Sequence, residues 1–305
     1  VNQRVVVITG ASSGIGRAAA IALAARGARV AVVGRNPERT RAAAHEAGAE
    51  PFVADFDRLD DVRALADALL ARYDRIDVLA NNAGGLVAQR ALTADGHERT
   101  FQSNVLAPFL LTELLLPRLA ETAARDDVPE GGVRVLATAS MANRWGRLRL
   151  DDLDWAQRPY QGGWPAYAAA KLAVVMWIRE LAERLTGTGV EAFSVHPGVV
   201  ATNFGDTSWL LKLGNAVLFH HVGRSAASGA APLVALAGAE RVAAVSGSYF
   251  SRFRAAGAVG AQALDPRLRR QLFDELQRLA DVTTPDLTTP EADGDSTGTA
   301  APAAR

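Results

Sequence analysis

Tyr167 and Lys171 stand four residues apart in "YAAAK", and Lys171 is one of only two lysines among 33 basic residues, the other being Lys212. Residues at i and i+4 share a helix face with about 6 Å of rise between them, so both side chains project into one place. A phenol with a pKa of ~10 holds its proton too tightly to exchange it at neutral pH. A fixed ammonium beside it favours the phenolate, so the pair predicts a lowered Tyr167 pKa and an acid–base role. The same spacing also occurs in ordinary packing helices, and its meaning depends on its company. Ser140, ending "VLATAS", follows a strand-like run. Its hydroxyl can donate to a carbonyl oxygen that gains charge; the alternative is a simple turn former. Asn104, in "FQSNVLAPF", falls in a helical pattern where its amide is costly to bury without partners.

A second kind of chemistry lies near the N-terminus. "TGASSGIG" (9–16) leaves an apolar strand and opens an Ala-rich helix. Gly10 permits the sharp turn, Gly14 leaves room for a pyrophosphate, and Gly16 lets helix and sheet pack closely. The helix N-terminus offers unpaired amides and partial positive charge to phosphate. The end of the second strand reads the adenosine ribose. An acidic residue there would accept from a free 2′-hydroxyl; this chain has Gly34 and Arg35. A guanidinium suits a 2′-phosphate, which favours NADP(H) over NAD(H), unless Arg35 is only a solvated loop residue. Asp55 ends the third strand, where it can meet the adenine amino group or serve as a turn or cap.

These residues need a scaffold that brings strand ends together. Strand patterns fall at 4–9, 28–34, 51–55, 76–82, 133–140 and 190–198, with helices near 37–47, 59–72, 97–122 and 165–186. Continuous apolar strands separated by helices predict an α/β fold: a Rossmann-like, doubly wound parallel sheet in three α/β/α layers. After residue 200 the rhythm breaks. An apolar stretch over 203–222 is followed by a small-residue helix (225–237), a short strand (246–251) and an amphipathic helix (265–280). The expected organisation is one domain over 1–282, with a small C-terminal helical substrate lid at about 203–222. A Thr/Pro/Asp/Gly-rich tail over 283–305 is expected to be disordered.

With these pieces in order, the chain resembles the short-chain dehydrogenase/reductase family of the TGxxxGxG/YxxxK type. The matching segments are "TGASSGIG", "NNAG" (81–84), Asn104, Ser140, Tyr167 with Lys171, and "HPGVVAT" (196–202), spanning about 4–202. "SMANRWG" and "SGSYFS" are most similar to the retinol-dehydrogenase-like branch. The resemblance implies that Asn104, Ser140, Tyr167 and Lys171 are catalytic, with Asn104 holding a water that links Lys171 to solvent. It implies a cofactor bed of Gly10, Ser12, Ser13, Gly14, Ile15, Gly16, Arg35, Asn36, Asp55, Phe56, Asn82, Ala83, Gly84, Tyr167, Lys171, Pro197, Gly198, Val200 and Thr202, with Asn81 structural. It also implies that any homodimer or homotetramer forms through helices 97–122 and 165–186.

Ser140 and Tyr167 are 27 positions apart, longer than is common in that family, and the intervening segment carries Trp145, Trp155 and Trp164. These tryptophans either line an apolar pocket or anchor the loop. Candidate substrate contacts are Trp145, Trp164, Phe204, Trp209 and Leu213, with Leu210, Leu211 and Phe219 beside them. His220–His221 has no nearby acid and is a poor chelator, so no metal is expected.

Composition narrows the field. The formal charge of the 305 residues is zero, so no global field draws the chain to nucleic acid or an anionic membrane. Cysteine is absent, which excludes disulfides and thiolate metal sites. No apolar run reaches the roughly 20 residues needed to span a bilayer, and no leader pattern opens the chain at Val1, so a cytoplasmic location is expected. The leading expectation is an NADPH-dependent ketone or aldehyde reductase, or alcohol dehydrogenase, acting on a lipophilic small molecule. The alternatives are a redox-neutral epimerase or cyclase with the same residues, and a non-catalytic NADP-binding sensor.

Overall fold

The computed structural model describes residues 4–198, 225–284 and 287. Seven parallel strands form one sheet: β1 (Val5–Ile8), β2 (Arg29–Gly34), β3 (Glu50–Val53), β4 (Val78–Asn81), β5 (Val133–Thr138), β6 (Val190–His196) and β7 (Tyr249–Ser251). Their spatial order is β3-β2-β1-β4-β5-β6-β7. Every neighbouring pair is parallel, with Val6 opposite Val30 on one side and Val78 on the other. The order reverses between β1 and β4, which is where ligands bind in open sheets of this kind. The central strands are buried on both faces, as continuous Val/Leu/Ala runs require.

Helices α1 (Gly14–Ala24), α2 (Pro37–Ala47) and α7 (Ala226–Gly238) belong to one side of the sheet. On the other lie α3 (Leu59–Arg72), α5 (Ala107–Ala123), α6 (Trp164–Arg184) and α8 (Pro266–Ala280). The second core is the larger. Phe109 packs edge-on against Trp177 and Phe273, with ring centroids 5.9 and 4.9 Å away. Burying such rings is a leading favourable term in folding. Phe273 brings α8 onto α5 and α6, the two helices through which the resemblance implies any oligomer would form.

Helix α5 does not start cleanly. A short turn α4 (Arg99–Phe101) passes through a π-helical turn over Gln102–Leu106, in which the Ala107 amide donates to Gln102 O, five residues back. Pro108 explains the widening. It has no N–H for the Asn104 carbonyl, and its ring would clash with that carbonyl in a regular helix. The single helix expected over 97–122 is thus interrupted at Asn104.

Near the C-terminus, Thr284 donates to the buried Glu113 and Leu287 packs against the core. Both residues sit within the segment that composition marks as tail. The expected lid over 203–222, with Phe204, Trp209, Leu210, Leu211, Leu213 and Phe219, lies outside the described residues. So do His220–His221, Val200 and Thr202. Among the described residues no helix is long and apolar enough to cross a membrane.

Candidate active site

Parallel strands place all their carboxyl ends along one edge of the sheet. Gly10 follows β1, Gly34 ends β2, Asn82 to Gly84 follow β4, Ser140 follows β5, and Pro197–Gly198 follow β6. The spread-out sequence motifs converge there for that reason alone.

The glycine turn fits a bound dinucleotide. Ser13 precedes α1 without capping it, and no acidic residue occupies the first turn, so the leading amides keep their donors. Helices α2 and α8, by contrast, are capped by Asn36 and Asp265. Gly10 has φ +65°, and a Cβ there would fall 2.8 Å from Ala83 Cα, so this approach of two backbones excludes any side chain. Thr9 adds the brace: its Oγ1 accepts from the Asn82 and Ala83 amides at 3.0 and 2.9 Å, and its carbonyl from Asn82 Nδ2 at 3.1 Å. Asn81 is buried and donates to Thr112 Oγ1 at 2.8 Å, in keeping with its structural reading.

At the adenosine end Arg35 is exposed and pairs with Asp57 at 3.5 Å and Asp55 at 4.0 Å. Exposed pairs of this kind contribute about 0–1 kcal/mol, so the guanidinium can be drawn away at little cost. Asn36 caps α2 by accepting from Arg39 N at 2.9 Å. Asp55 Oδ1 accepts from Asp57 N at 3.1 Å, the turn role foreseen as its alternative. The ring of Phe56 is buried in the α3–α5 core, so its backbone is the part that can meet a cofactor.

The proposed acid–base residues converge. Tyr167 and Lys171 are both buried on α6, with Nζ 5.7 Å from the phenol ring centroid. The helix begins with Gly163 at φ +80° and Pro165 in its first turn, so it starts three residues before the tyrosine. Ser140 Oγ accepts from Ala142 N at 3.2 Å, and its hydroxyl hydrogen-bonds Tyr167. Lys171 Nζ donates to the Thr138 carbonyl at 2.9 Å, and Thr138 Oγ1 donates to Asn82 at 3.2 Å. Thr138 therefore joins α6 to the segment that follows β4. Neither it nor Thr9 was singled out by sequence, because both act through backbone partners far along the chain.

Burial controls the proton affinities. It pulls Lys171 down to about 7. A single charge-assisted hydrogen bond returns about 1.5–3 kcal/mol, less than the several kcal/mol lost on desolvating an ammonium. Burial likewise pushes the Tyr167 phenol well above its ordinary value, opposed by the Ser140 hydrogen bond and reinforced by Tyr249 nearby. In the protein alone burial outweighs the ammonium, which is itself desolvated; the lowering expected of Lys171 together with the positive nicotinamide of an oxidised cofactor concerns the cofactor-bound enzyme.

Asn104 sits in the π-helical turn, with Nδ2 donating to Gly85 O and Thr100 O, both at 2.8 Å. Its Oδ1 is buried without a partner among the described residues. Gly84, at φ +144°, lies between: a Cβ would collide with that Oδ1 and stand 3.5 Å from Lys171 Nζ. Asn104 and Lys171 thus face the same small space, one with an unmet acceptor and the other with spare donors.

The tryptophans of the 141–163 segment divide. Trp155 is buried, with the Arg158 guanidinium stacked 3.7 Å from its ring centroid, and it anchors the loop. Asp152 reinforces that anchor, accepting from Ala156 N at 2.7 Å and Arg158 Nε at 2.8 Å. Trp145 and Trp164 are 59% and 50% exposed, so neither serves as a core anchor. Trp164 lies 5.9 Å from the Tyr167 ring, centroid to centroid.

Comparison with known proteins agrees with this geometry. The family described as short chain dehydrogenase matches residues 4–147 and 156–210. "Putative daunorubicin C-13 ketoreductase DnrU" of Streptomyces sp. (strain C5) is 43% identical over 277 residues, covering 89% of this chain and 90% of that protein. Retinol dehydrogenase 12 of Mus musculus is 40% identical over 255 residues, covering 81% and 77%. A crystal structure of an uncharacterized protein from Mycobacterium paratuberculosis superposes with a TM-score of 0.73 at 32% identity, covering 93% and 95%. The cofactor fold, the family match and these relatives make the chain a nicotinamide-dependent dehydrogenase/reductase of CH–OH and C=O groups. It belongs to the short-chain dehydrogenase family, in its retinol-dehydrogenase-like branch.

Proposed function

We propose that this enzyme is an NADPH-dependent reductase of ketones or aldehydes on lipophilic small molecules, and in reverse an alcohol dehydrogenase. The observation that carries the reading is the donor chain from Ala142 N–H to Ser140 Oγ and from Ser140 to Tyr167, with Lys171 one helical turn on. Ser140, held by the Ala142 amide, orients and polarises the substrate oxygen. Tyr167 gives that oxygen its proton, or takes it in the reverse direction. Lys171 holds a proton beside the phenol, and with Asn104 frames the space beside Gly84 for a water that refills it. Its compact ammonium also suits ribose hydroxyls. When bound, the nicotinamide dinucleotide supplies or accepts the hydride.

Arg35 supports the preference for NADP(H), since the β2 end carries a movable guanidinium and no acid. Exposed Trp145 and Trp164 near Ser140 and Tyr167 support an apolar substrate. Two relatives are named for daunorubicin and for retinol, which supports a bulky organic substrate. A cysteine-free chain suits a reducing compartment, and the cytoplasm is the proposed location.

The test is a comparison of NADPH and NADH across a panel of ketones and aldehydes of graded size. Reduction is expected with NADPH and bulky apolar carbonyls. Arg35→Ala should raise KM for NADPH roughly 10–100-fold, the loss of a charged hydrogen bond of about 1.5–3 kcal/mol, and leave KM for NADH nearly unchanged. Equal KM shifts for the two cofactors would remove the 2′-phosphate role.

A further inference from the structure

The turn that follows Ser140 is braced from a distant part of the chain. Asn143 is fully buried. Its Nδ2 donates to the Ser140 carbonyl at 2.7 Å, and its Oδ1 accepts from Gly260 N at 3.1 Å. The same carboxamide hydrogen-bonds the hydroxyl of Tyr249, whose ring is buried on β7. Two residues beyond Gly260, Gln262 clasps Leu148 twice, accepting from its amide at 2.8 Å and donating to its carbonyl at 3.0 Å. Gly260 is pressed in so tightly that a Cβ would fall 2.6 Å from Asn143 O and 3.0 Å from Leu172 Cδ1.

We propose that Asn143 is a positioning residue of the reaction, acting through Ser140. Its carboxamide, backed by Tyr249 and Gly260, sets the place and direction of the serine hydroxyl. The proposal rests on the reading of Ser140 and Tyr167 given above. The chemistry explains the residue type. Asparagine alone among side chains of this size both donates to the Ser140 carbonyl and accepts from a backbone amide; aspartate would set a buried charge against that carbonyl. With one lone pair of Ser140 Oγ taken by Ala142 N–H, its single hydroxyl hydrogen is directed to Tyr167, and turns to the substrate oxygen when substrate lies beside the phenol. A slack turn loses that direction, and small misplacements of a catalytic group cost rate steeply. Among the described residues, the ionisable groups around the phenol are Lys171 on α6 itself, Tyr249 on β7, and Arg144 in the turn, which acts on Tyr249.

The test uses full-length Asn143→Ala and Tyr249→Phe, assayed for carbonyl reduction and for alcohol oxidation across pH. Asn143→Ala should lower kcat roughly 10–100-fold with KM for NADPH within about twofold. The apparent pKa of the rising limb for alcohol oxidation should move upward, because Ser140 no longer stabilises the phenolate as well. A purely structural residue would not move that limb. Tyr249→Phe keeps the ring and removes only the hydroxyl; a fall in kcat of a few-fold is expected at unchanged KM for NADPH. A folded Asn143→Ala with native kcat and pH profile overturns the proposal. If that variant does not fold, native kcat in Tyr249→Phe overturns it instead. Tyr167→Phe run in parallel separates the two levels: if it is inactive while Asn143→Ala is unaffected, only the positioning role fails, whereas an active Tyr167→Phe removes the reading beneath it.

Discussion

Tyr167→Phe is expected to lower carbonyl reduction by about 10²–10⁴-fold, the usual contribution of a positioned acid–base group, while cofactor affinity changes little. The substitution removes one oxygen from a buried ring and leaves its contacts with Leu86, Ala142 and Ala168 intact. Loss of rate therefore reports the proton and not the packing. Single-turnover oxidation of bound NADPH, with fluorescence titration of the cofactor, measures the two quantities separately. Turnover within a few-fold of the native rate would assign the proton to another group.

The second large effect belongs to Lys171. Its ammonium is buried with one carbonyl partner and its pKa is drawn from 10.5 to about 7. Between those values the unfolded chain binds a proton that the folded protein does not, so stability rises with pH across this window. As pH falls from about 10.5 to about 7 that stability is lost, and below about 7 the loss is complete. At ~1.4 kcal/mol per pKa unit the full change is of the order of a few kcal/mol. Lys171→Met should flatten this pH dependence, and it should lower kcat by at least about 100-fold. Urea melts at several pH values between 6 and 10 would show it. A variant with the native pH slope would mean that Lys171 stays charged through solvent contact, contrary to its burial.

The two effects oppose each other in a way that explains the composition. A chain that uses arginine almost everywhere keeps lysine at a position where it weakens the fold near neutral pH. A lysine can shed its proton there, whereas a guanidinium stays charged and must be paired. Arg134 shows the contrast: it is fully buried in β5, yet it survives by donating to the carbonyls of Gly131, Leu236 and Glu240 at the end of α7.

Much of the fold was legible because buried parallel strands and amphipathic helices leave strong local patterns. Helices α2 and α3 fall where their periodicity predicts, and the strands differ by one to three residues at their ends, most at β7, which starts at Tyr249 and not at 246. The positions of the glycine turn and Ser140 were legible because each sits beside the boundary of such an element, and the shared face of Tyr167 and Lys171 because their spacing is one helical turn. What escaped is long-range or backbone-mediated. The π-helical turn at Asn104 follows from Pro108 four residues on, a signal present in "NVLAP" but not used. Thr9 and Thr138 act through carbonyls and amides that no residue pattern marks. Asn143 meets Gly260 across 117 residues, and only the folded chain brings them together. Phe56 follows Asp55 at the cofactor edge, and the turn of its ring into the core is likewise visible only in the folded chain.

In the proposed reaction, hydride reaches the carbonyl carbon of a lipophilic substrate while Tyr167 protonates its oxygen. Incubation of the enzyme with 4-deuterated NADPH and a bulky apolar ketone tests it most directly, using both C4 diastereomers of the label. The expected result is one deuterium on the new carbinol carbon from one diastereomer, with one NADP⁺ formed per alcohol. Conversion of substrate with the cofactor recovered fully labelled would instead establish redox-neutral chemistry. Binding of NADPH without conversion of any carbonyl in the panel would leave a nucleotide sensor in place of a reductase.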